Sequence, residues 1–348
     1  MAYLAFLFVC LNWGSSFILM ERVSHALGPV DIGITRLLSA AVALGAIWWW
    51  KRDEMRLDRK FIPPILFSAL VANVAPYVTQ PYVLAQGHGH SFFGVVVAAI
   101  PLLTILFSIP MLGVLPTRRQ MLGVVGGLVC LWFVIDDGFD RGMTWQILAL
   151  AAVVPITGSF NNTFVKRKLS GAPSLPVTAV MLGSAGLMLI PLELCRPAVA
   201  ALDLGGPAHP EFTPQLLVCL AILGVVTTGL STVAFFYMVF QRGPLFAGMT
   251  TYVVPLLAMG WGLFDHEAIS MQQLAAMAGV FLMVGLVQSG SRNDEELTEL
   301  LPEATMSENS PSPLQPTLSL ATEGALVRPA TIAAASGTEA AAYTSQCA

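Results

Sequence analysis

The amino-acid sequence predicts an all-α polytopic membrane protein, with ten transmembrane helices arranged as two inverted five-helix repeats. Three observations carry this expectation. First, 55% of the 348 residues are hydrophobic and only 11% are charged, against about 25% charged in a soluble domain. Second, the charges cluster, and between them stand ten apolar windows near the roughly 20 residues a helix needs to cross hydrocarbon. Third, Gly89-His-Ser-Phe92-Phe-Gly94, running on to Pro101, is echoed by Gly243-Pro-Leu-Phe246-Ala-Gly248, running on to Pro255, at an offset of 154 residues. So long a repeat in an apolar chain signals two related membrane halves.

Span one is expected at 3–20. No basic segment precedes it and further spans follow, so it reads as a helix rather than a cleaved signal peptide. It carries Asn12, Trp13, Ser15 and Ser16 on a polar face. Span two, 30–50, opens after Gly28-Pro29 and holds Arg36. Span three, 61–84, sets Asn73, Tyr77, Thr79, Gln80 and Tyr82 around Pro76 and Pro81. Span four, 91–114, contains Gly94 and Pro101. Spans five (120–136) and ten (271–289) each begin at a capping box, Thr117…Gln120 and Ser270…Gln273, whose hydroxyl and amide satisfy free N–H groups. Both carry small-residue stripes, Gly123/Gly127 and Ala275/Gly279, suited to close helix contact within the fold. Span six, 144–164, ends near Asn161-Asn162-Thr163, a glycosylation sequon expected to go unused at the cytoplasmic end. Span seven is 174–193. Span eight, 215–240, offers Thr227, Thr228, Ser231, Thr232 and Tyr237. Span nine, 245–264, offers Gly248, Thr250, Thr251, Tyr252 and Pro255. A proline inside a spanning helix is tolerated where neighbours re-satisfy the freed backbone. Spans four and nine therefore read as paired, interrupted helices beside a cavity, with Pro101, Pro255, Gly94 and Gly248 shaping it.

The loops orient the spans. Lys51, Arg52, Arg56, Arg59 and Lys60 lie between spans two and three. Arg118 and Arg119 precede span five, Lys166, Arg167 and Lys168 follow span six, and Arg242 follows span eight. The alternate loops carry one arginine each (Arg22, Arg141, Arg196). The positive-inside rule puts both termini in the cytoplasm, and the plasma (inner) membrane is the expected location. Five spans per half force opposite orientations, so the division is 1–138 and 139–292. The segment 293–348, acidic and then rich in Ser, Pro, Thr and Ala, reads as a disordered cytoplasmic tail.

These residues resemble the EamA-type branch of the drug/metabolite transporter superfamily. The resemblance rests on Asn12-Trp13-Gly14-Ser15-Ser16-Phe17, on Arg36 after Gly28-Pro29, on the two Gly…Pro stretches, and on Leu263-Phe-Asp-His-Glu267 with Ser270, Gln273 and Gly279. It covers about residues 1–290. It implies ten spans in two inverted repeats and transport of small metabolites, often outward. The family's acid after span four is missing near Val114, and Thr157-Gly158-Ser159 stands where a tryptophan would echo Trp13, so the cavity is expected to be asymmetric.

Arg36 is the sharpest single residue, because a charge inside a span is costly and faces a cavity or a partner. It reads as an anchor for a carboxylate or phosphate, or as a gate. The plainer alternatives are pairing with helix carbonyls and snorkelling to the outer surface, and Asp31 is an imperfect local partner. The other expected solute contacts are Asn12, Trp13, Ser15, Asn73, Tyr77, Gln80, Tyr82, Thr228, Ser231, Thr250 and Tyr252. No Asp or Glu is central in any span, so a carboxylate proton relay has no candidate. No metal, cofactor or catalytic set is expected: the five cysteines have no CxxC spacing, and His88 and His90 have no third ligand. No basic patch with interleaved aromatics suggests nucleic acid. The expected function is a secondary transporter, an exporter or exchanger, of small polar or amphipathic metabolites. Amino acids or other carboxylate-bearing solutes are favoured, and the partners are the solute and the lipid bilayer. A membrane sensor or scaffold and an intramembrane enzyme are the alternatives. Substrate, direction, coupling ion and oligomeric state are open at this point.

Overall fold

Helices account for the regular structure throughout the described residues of the computed structural model, and no strand occurs among them. The structure describes residues 1–86, 90–113, 115–140, 142–195, 197, 199, 204–206, 212–264, 270–283 and 285–286. All of these fall within one unit, Met1–Thr298. The expected tail at 293–348 lies outside the described residues, as do His88, Gly89, Val114, Arg141, Arg196 and the 265–267 part of the family motif.

Eight of the described helices are long and apolar enough to cross a membrane: α1 (Ala2–Ser24), α2 (Pro29–Trp50), α3 (Arg59–Ala85), α4 (Phe92–Leu112), α6 (Trp145–Leu169), α7 (Ser174–Leu194), α8 (Pro214–Arg242) and α9 (Phe246–Phe264). Between α4 and α6 lies α5 (Arg118–Asp140), and after α9 comes the shorter apolar α10 (Met271–Met283). Each stands where the sequence places a span.

The helix starts follow the local sequence. Both capping boxes form: Thr117 N donates to Gln120 Oε1 at 2.8 Å and Gln120 N to Thr117 Oγ1 at 3.3 Å. The second box repeats this between Ser270 and Gln273, at 3.4 and 2.9 Å. Thr144 and Thr213 cap α6 and α8 by accepting from Ile147 N and Leu216 N.

Two helices are not α-helical throughout. In α3, residues Leu70–Val74 form a π-helix; in α8, Ile222–Leu230 do the same. The sequence reading did not anticipate either. The first lies just before Pro76, whose missing N–H leaves a carbonyl one turn back without its usual donor. The second holds Gly224 and Gly229 where α8 meets α2. A Cβ on Gly224 would fall 1.8 Å from Ser39 Oγ and 3.3 Å from the Arg36 carbonyl.

α2 packs chiefly on α7 and on the π segment of α8; α1 packs on α9 and α8; α6 packs on α4 and α3; α3 also packs on α7, and α4 on α9. α5 meets α10 through Gly126 against Met283 and Gly279 against Cys130. Of the stripe residues, Gly127 packs on Leu102 of α4 and Gly279 on Cys130 of α5, while Ala275 is exposed. Two large hydrophobic clusters result. One is centred on α2, α7 and the second half of α8, the other on α1, α4 and α9. Trp13 touches both. The outward faces of α1, α5 and α10 keep large apolar side chains exposed, among them Leu7, Leu122, Trp132 and Leu282. In a bilayer those faces meet lipid.

Candidate functional site

A cavity of about 180 Å³ opens beside Trp13, where the two clusters meet. Five helices supply its polar wall. α1 contributes Trp13 and Ser16, α2 Arg36, α3 Asn73, Tyr77 and Gln80, α6 Thr157, Asn161 and Asn162, and α8 Thr227 and Thr232. Phe17, Phe235, Phe236, Val97, Ile100, Val154, Met181 and Val254 close it with apolar surface. Among these lining residues Arg36 is the only one charged at neutral pH, and no carboxylate is present.

Arg36 is buried, with 5% of its surface exposed. Its guanidinium lies over the Tyr77 ring, 4.8 Å from the centroid, a distance at which the ring face attracts a cation. Nε donates to Thr228 Oγ1 at 3.2 Å, and one terminal nitrogen donates to the Met20 thioether at 3.1 Å. A guanidinium has five N–H donors, so these two bonds leave donors on the cavity side. The described residues offer it no ion pair; Lys60 and Asp58 do pair, but both are exposed at the start of α3. Neither plainer alternative fits: the guanidinium bonds no helix carbonyl, and it does not reach an outer surface.

The walls are held by local bonds that free particular atoms. Trp13 Nε1 donates to the Thr227 carbonyl at 3.1 Å and its ring packs on Phe235, 5.0 Å between centroids. Asn73 Nδ2 donates to the Ser68 carbonyl at 3.2 Å, and Ser68 Oγ donates to Asn161 Oδ1. Thr228 Oγ1 donates to the Leu223 carbonyl at 2.8 Å, which turns its remaining lone pair to Arg36. The Tyr77 hydroxyl faces Thr228 and Thr232.

Of the expected contacts, Arg36, Trp13, Asn73, Tyr77 and Gln80 come together on the cavity, with Thr228 directly behind Arg36. Others lie elsewhere. Asn12 Nδ2 donates to the Phe8 carbonyl at 2.7 Å near the outside of α1. Ser15 Oγ accepts from Trp261 Nε1 at 3.0 Å. Tyr82 packs against the second cluster. Ser231 and Thr250 are buried, with their hydroxyls on their own helices' carbonyls, Val226 and Ala247. The Tyr252 side chain lies outside the described residues. The polar lining residues outside the expected set are Ser16, Thr157, Thr227 and Thr232 and, most distinctly, the amides Asn161 and Asn162. The two amides are buried within α6, where the sequon reading obscured them. Two consecutive amides inside an apolar helix were the available signal.

The four residues expected to shape the cavity are not among those lining it; they meet in reciprocal pairs where α4 and α9 cross. A Cβ on Gly94 would stand 3.2 Å from Pro255 Cα and 3.2 Å from Ala258 Cβ. A Cβ on Gly248 would stand 3.8 Å from Pro101 Cγ. Both helices are interrupted. α4 turns at Ala98–Ala99, just before Pro101, and α9 at Met249, six residues before Pro255.

Comparison with known proteins agrees with this architecture. Residues 1–135 match the model of the EamA-like transporter family. Over 287 residues the chain is 22% identical to the "Uncharacterized transporter YoaV" of Bacillus subtilis, covering 79% of this chain and 93% of that protein. It is 24% identical over 266 residues to an S-adenosylmethionine/S-adenosylhomocysteine transporter of Chlamydia muridarum, covering 73% and 81%. A similar match links it to the protein of that name in Chlamydia trachomatis, at 24% identity, covering 73% and 79%. A protein known from a crystal structure shares the fold, with a TM-score of 0.61 at 15% identity, covering 84% of this chain and 98% of that one. The resemblance read from Asn12–Phe17 and Arg36 is thus matched by an EamA-like transporter domain over residues 1–135 and by relatives named as transporters, and the eight long apolar helices mark an integral membrane protein.

Proposed function

We propose that the protein is a secondary transporter of small carboxylate-bearing metabolites, working by alternating access around the Arg36 cavity. The single observation that carries this is a buried guanidinium with no carboxylate partner among the described residues, presented to a cavity with a mixed polar and aromatic wall. A lone buried charge is unfavourable, and a solute carboxylate taking the free donors removes the cost with a paired geometry. A cavity of about 180 Å³ is below the ~300–1,000 Å³ of sites for drug-sized ligands, so the solute is small. The solutes named for the Chlamydia relatives are larger, and those names stay with the relatives.

The packing supports two inverted halves, 1–138 and 139–292. Exchange α1–α5 with α6–α10, and the contacts map onto themselves. The pairs α2–α7, α4–α9 and α5–α10 return to themselves, while α1–α9 exchanges with α4–α6, α2–α8 with α3–α7, and α1–α8 with α3–α6. Gly94 on Pro255 and Gly248 on Pro101 exchange in the same way. Shifted by the 154-residue echo, the π segment 70–74 falls inside 222–230. In this reading α5 and α10 complete ten spans, the basic loops keep both termini cytoplasmic in the plasma (inner) membrane, and the α4–α9 crossing is the hinge.

The test is counterflow in proteoliposomes with wild type, Arg36→Ala and Arg36→Lys. Removing one member of a desolvated charge pair costs about 2–5 kcal/mol. Arg36→Ala is therefore expected to lower carboxylate uptake roughly thirtyfold or more, and Arg36→Lys to recover part of it without the planar fork. Equal uptake of anionic solutes by wild type and both variants would remove Arg36 as the anchor.

A further inference from the structure

The second wall of the cavity is made of amides. Asn162 lines the cavity with 5% of its surface exposed, and its side-chain amide makes no hydrogen bond to any described residue. Among the described residues only Thr79 Oγ1 is shut away without a partner; the Asn162 donor and acceptor are instead open to the cavity and available to a group there. Beside it, Asn161 has its carbonyl occupied by Ser68 Oγ, which leaves its N–H₂ as a donor. Asn73 and Gln80 complete four lining amides, with no carboxylate among the described lining residues.

Net charge decides what these amides can read. A monoanion on Arg36 leaves the loaded cavity neutral. A zwitterion leaves it with the full positive charge of Arg36 and brings an ammonium close to a guanidinium. That charge has no counter-ion in the wall and sits in a medium that penalises it. We infer that Asn162, with Asn161, forms the second half of the solute site and recognises a neutral hydrogen-bonding group. The solute is then a small apolar monocarboxylate bearing an oxo or hydroxyl group, in preference to the amino acids that the sequence alone favours. This rests on the transporter reading and on Arg36 as the carboxylate anchor. The apolar part of the solute lies against Phe17, Phe235 and Phe236. The oxo or hydroxyl oxygen meets the Asn162 amide, which can donate to the first and accept from the second.

The experiment compares ketoisovalerate with valine, which share a carbon skeleton and differ in oxo against ammonium. Binding is measured by equilibrium dialysis on the purified full chain, for wild type, Asn162→Asp, Asn162→Leu and Arg36→Gln, with melting temperature as the folding control. Wild type is expected to bind ketoisovalerate about tenfold or more tighter than valine, because like charges are kept apart. Asn162→Asp, nearly isosteric and carrying the missing negative charge, is expected to narrow or invert that ratio. Asn162→Leu is expected to weaken ketoisovalerate without gaining valine. Equal or tighter binding of valine by wild type overturns the inference. So does an unchanged ratio in a folded Asn162→Asp while Arg36→Gln still abolishes ketoisovalerate binding. If Arg36→Gln binds ketoisovalerate as wild type does, or a folded wild type binds neither acid, the underlying anchor reading fails instead. The wild-type ratio stands by itself should the Asn162 variants not fold.

Discussion

The two π-helical stretches, in α3 and α8, serve different ends. In α3, Leu70–Val74 lies beside Pro76 and turns Asn73 onto the cavity, its Nδ2 held by the Ser68 carbonyl five residues back. In α8, Ile222–Leu230 has no proline. Gly224 and Gly229 bring its backbone against α2, and the Thr228 and Ser231 hydroxyls reach the carbonyls five residues back, at 2.8 and 3.0 Å. Thr228 does not line the cavity; it holds Arg36. The same backbone irregularity thus puts a side chain on the cavity in α3 and positions a cation for it in α8. π segments are frequent at functional sites, and here each lets side chains reach the carbonyl five residues back.

The largest effect that would test this contrast is expected from Gly224→Leu. Its side chain must displace Ser39 and push α8 off α2, since even a Cβ would fall 1.8 Å from Ser39 Oγ. Overpacking of this kind costs about 1–3 kcal/mol and at times more. The melting temperature in detergent should fall clearly, and carboxylate affinity with it; an unchanged melt would mean that α8 does not rely on this close approach.

Thr228→Val comes next. It removes the oxygen that accepts from Arg36 Nε and keeps the shape. A hydrogen bond to a charged group is worth about 1.5–3 kcal/mol, and each 1.4 kcal/mol is tenfold. Carboxylate affinity is therefore expected to fall about tenfold or more through loss of Arg36 positioning, with Thr228→Ser restoring it. Asn73→Leu, on the wall itself, is expected to alter the order of preference among solutes more than the affinity for the carboxylate. If Thr228→Val and Asn73→Leu change the solute profile alike, the division of labour between the two π segments is wrong.

The smallest expected difference lies at the helix crossing. Gly94→Ala puts a methyl 3.2 Å from the Pro255 backbone, while Gly248→Ala meets Pro101 at ordinary contact, 3.8 Å. The first should cost about 1 kcal/mol. The second should be neutral or slightly stabilising, because alanine is the better helix former by about 1 kcal/mol. Paired thermal melts read the difference directly. Equal shifts would mean that the two ends of the crossing are packed alike.

Much of this architecture was legible in the sequence. Apolar windows between clustered charges mark where helices run, because hydrocarbon demands uninterrupted internal hydrogen bonding. Thr117…Gln120 and Ser270…Gln273 mark two starts, because a hydroxyl and an amide three residues apart satisfy free N–H groups wherever the helix later packs. Gly94, Pro101, Gly248 and Pro255 stood out as a repeat in two interrupted helices, though not as the place where those helices cross, and Arg36 stood out because a charge inside a span must be explained. These signals are local or depend only on the solvent.

Which way each polar side chain faces was decided only by the tertiary structure. In water, an apolar stripe reveals the buried side of a helix. In a bilayer, lipid and protein are both apolar, so no such stripe separates them. Asn12, Ser15, Tyr82, Ser231 and Thr250 were thus indistinguishable by composition from Trp13, Asn73, Tyr77 and Gln80, yet only the second group lines the cavity. The π segments add a further rotation, because each residue by which the helix is offset turns the remainder of that helix by about 100°. That phase brings Thr228 behind Arg36 and leaves Ser231 on its own backbone. It is set by the approach of Gly224 to Ser39, a contact between residues nearly two hundred positions apart.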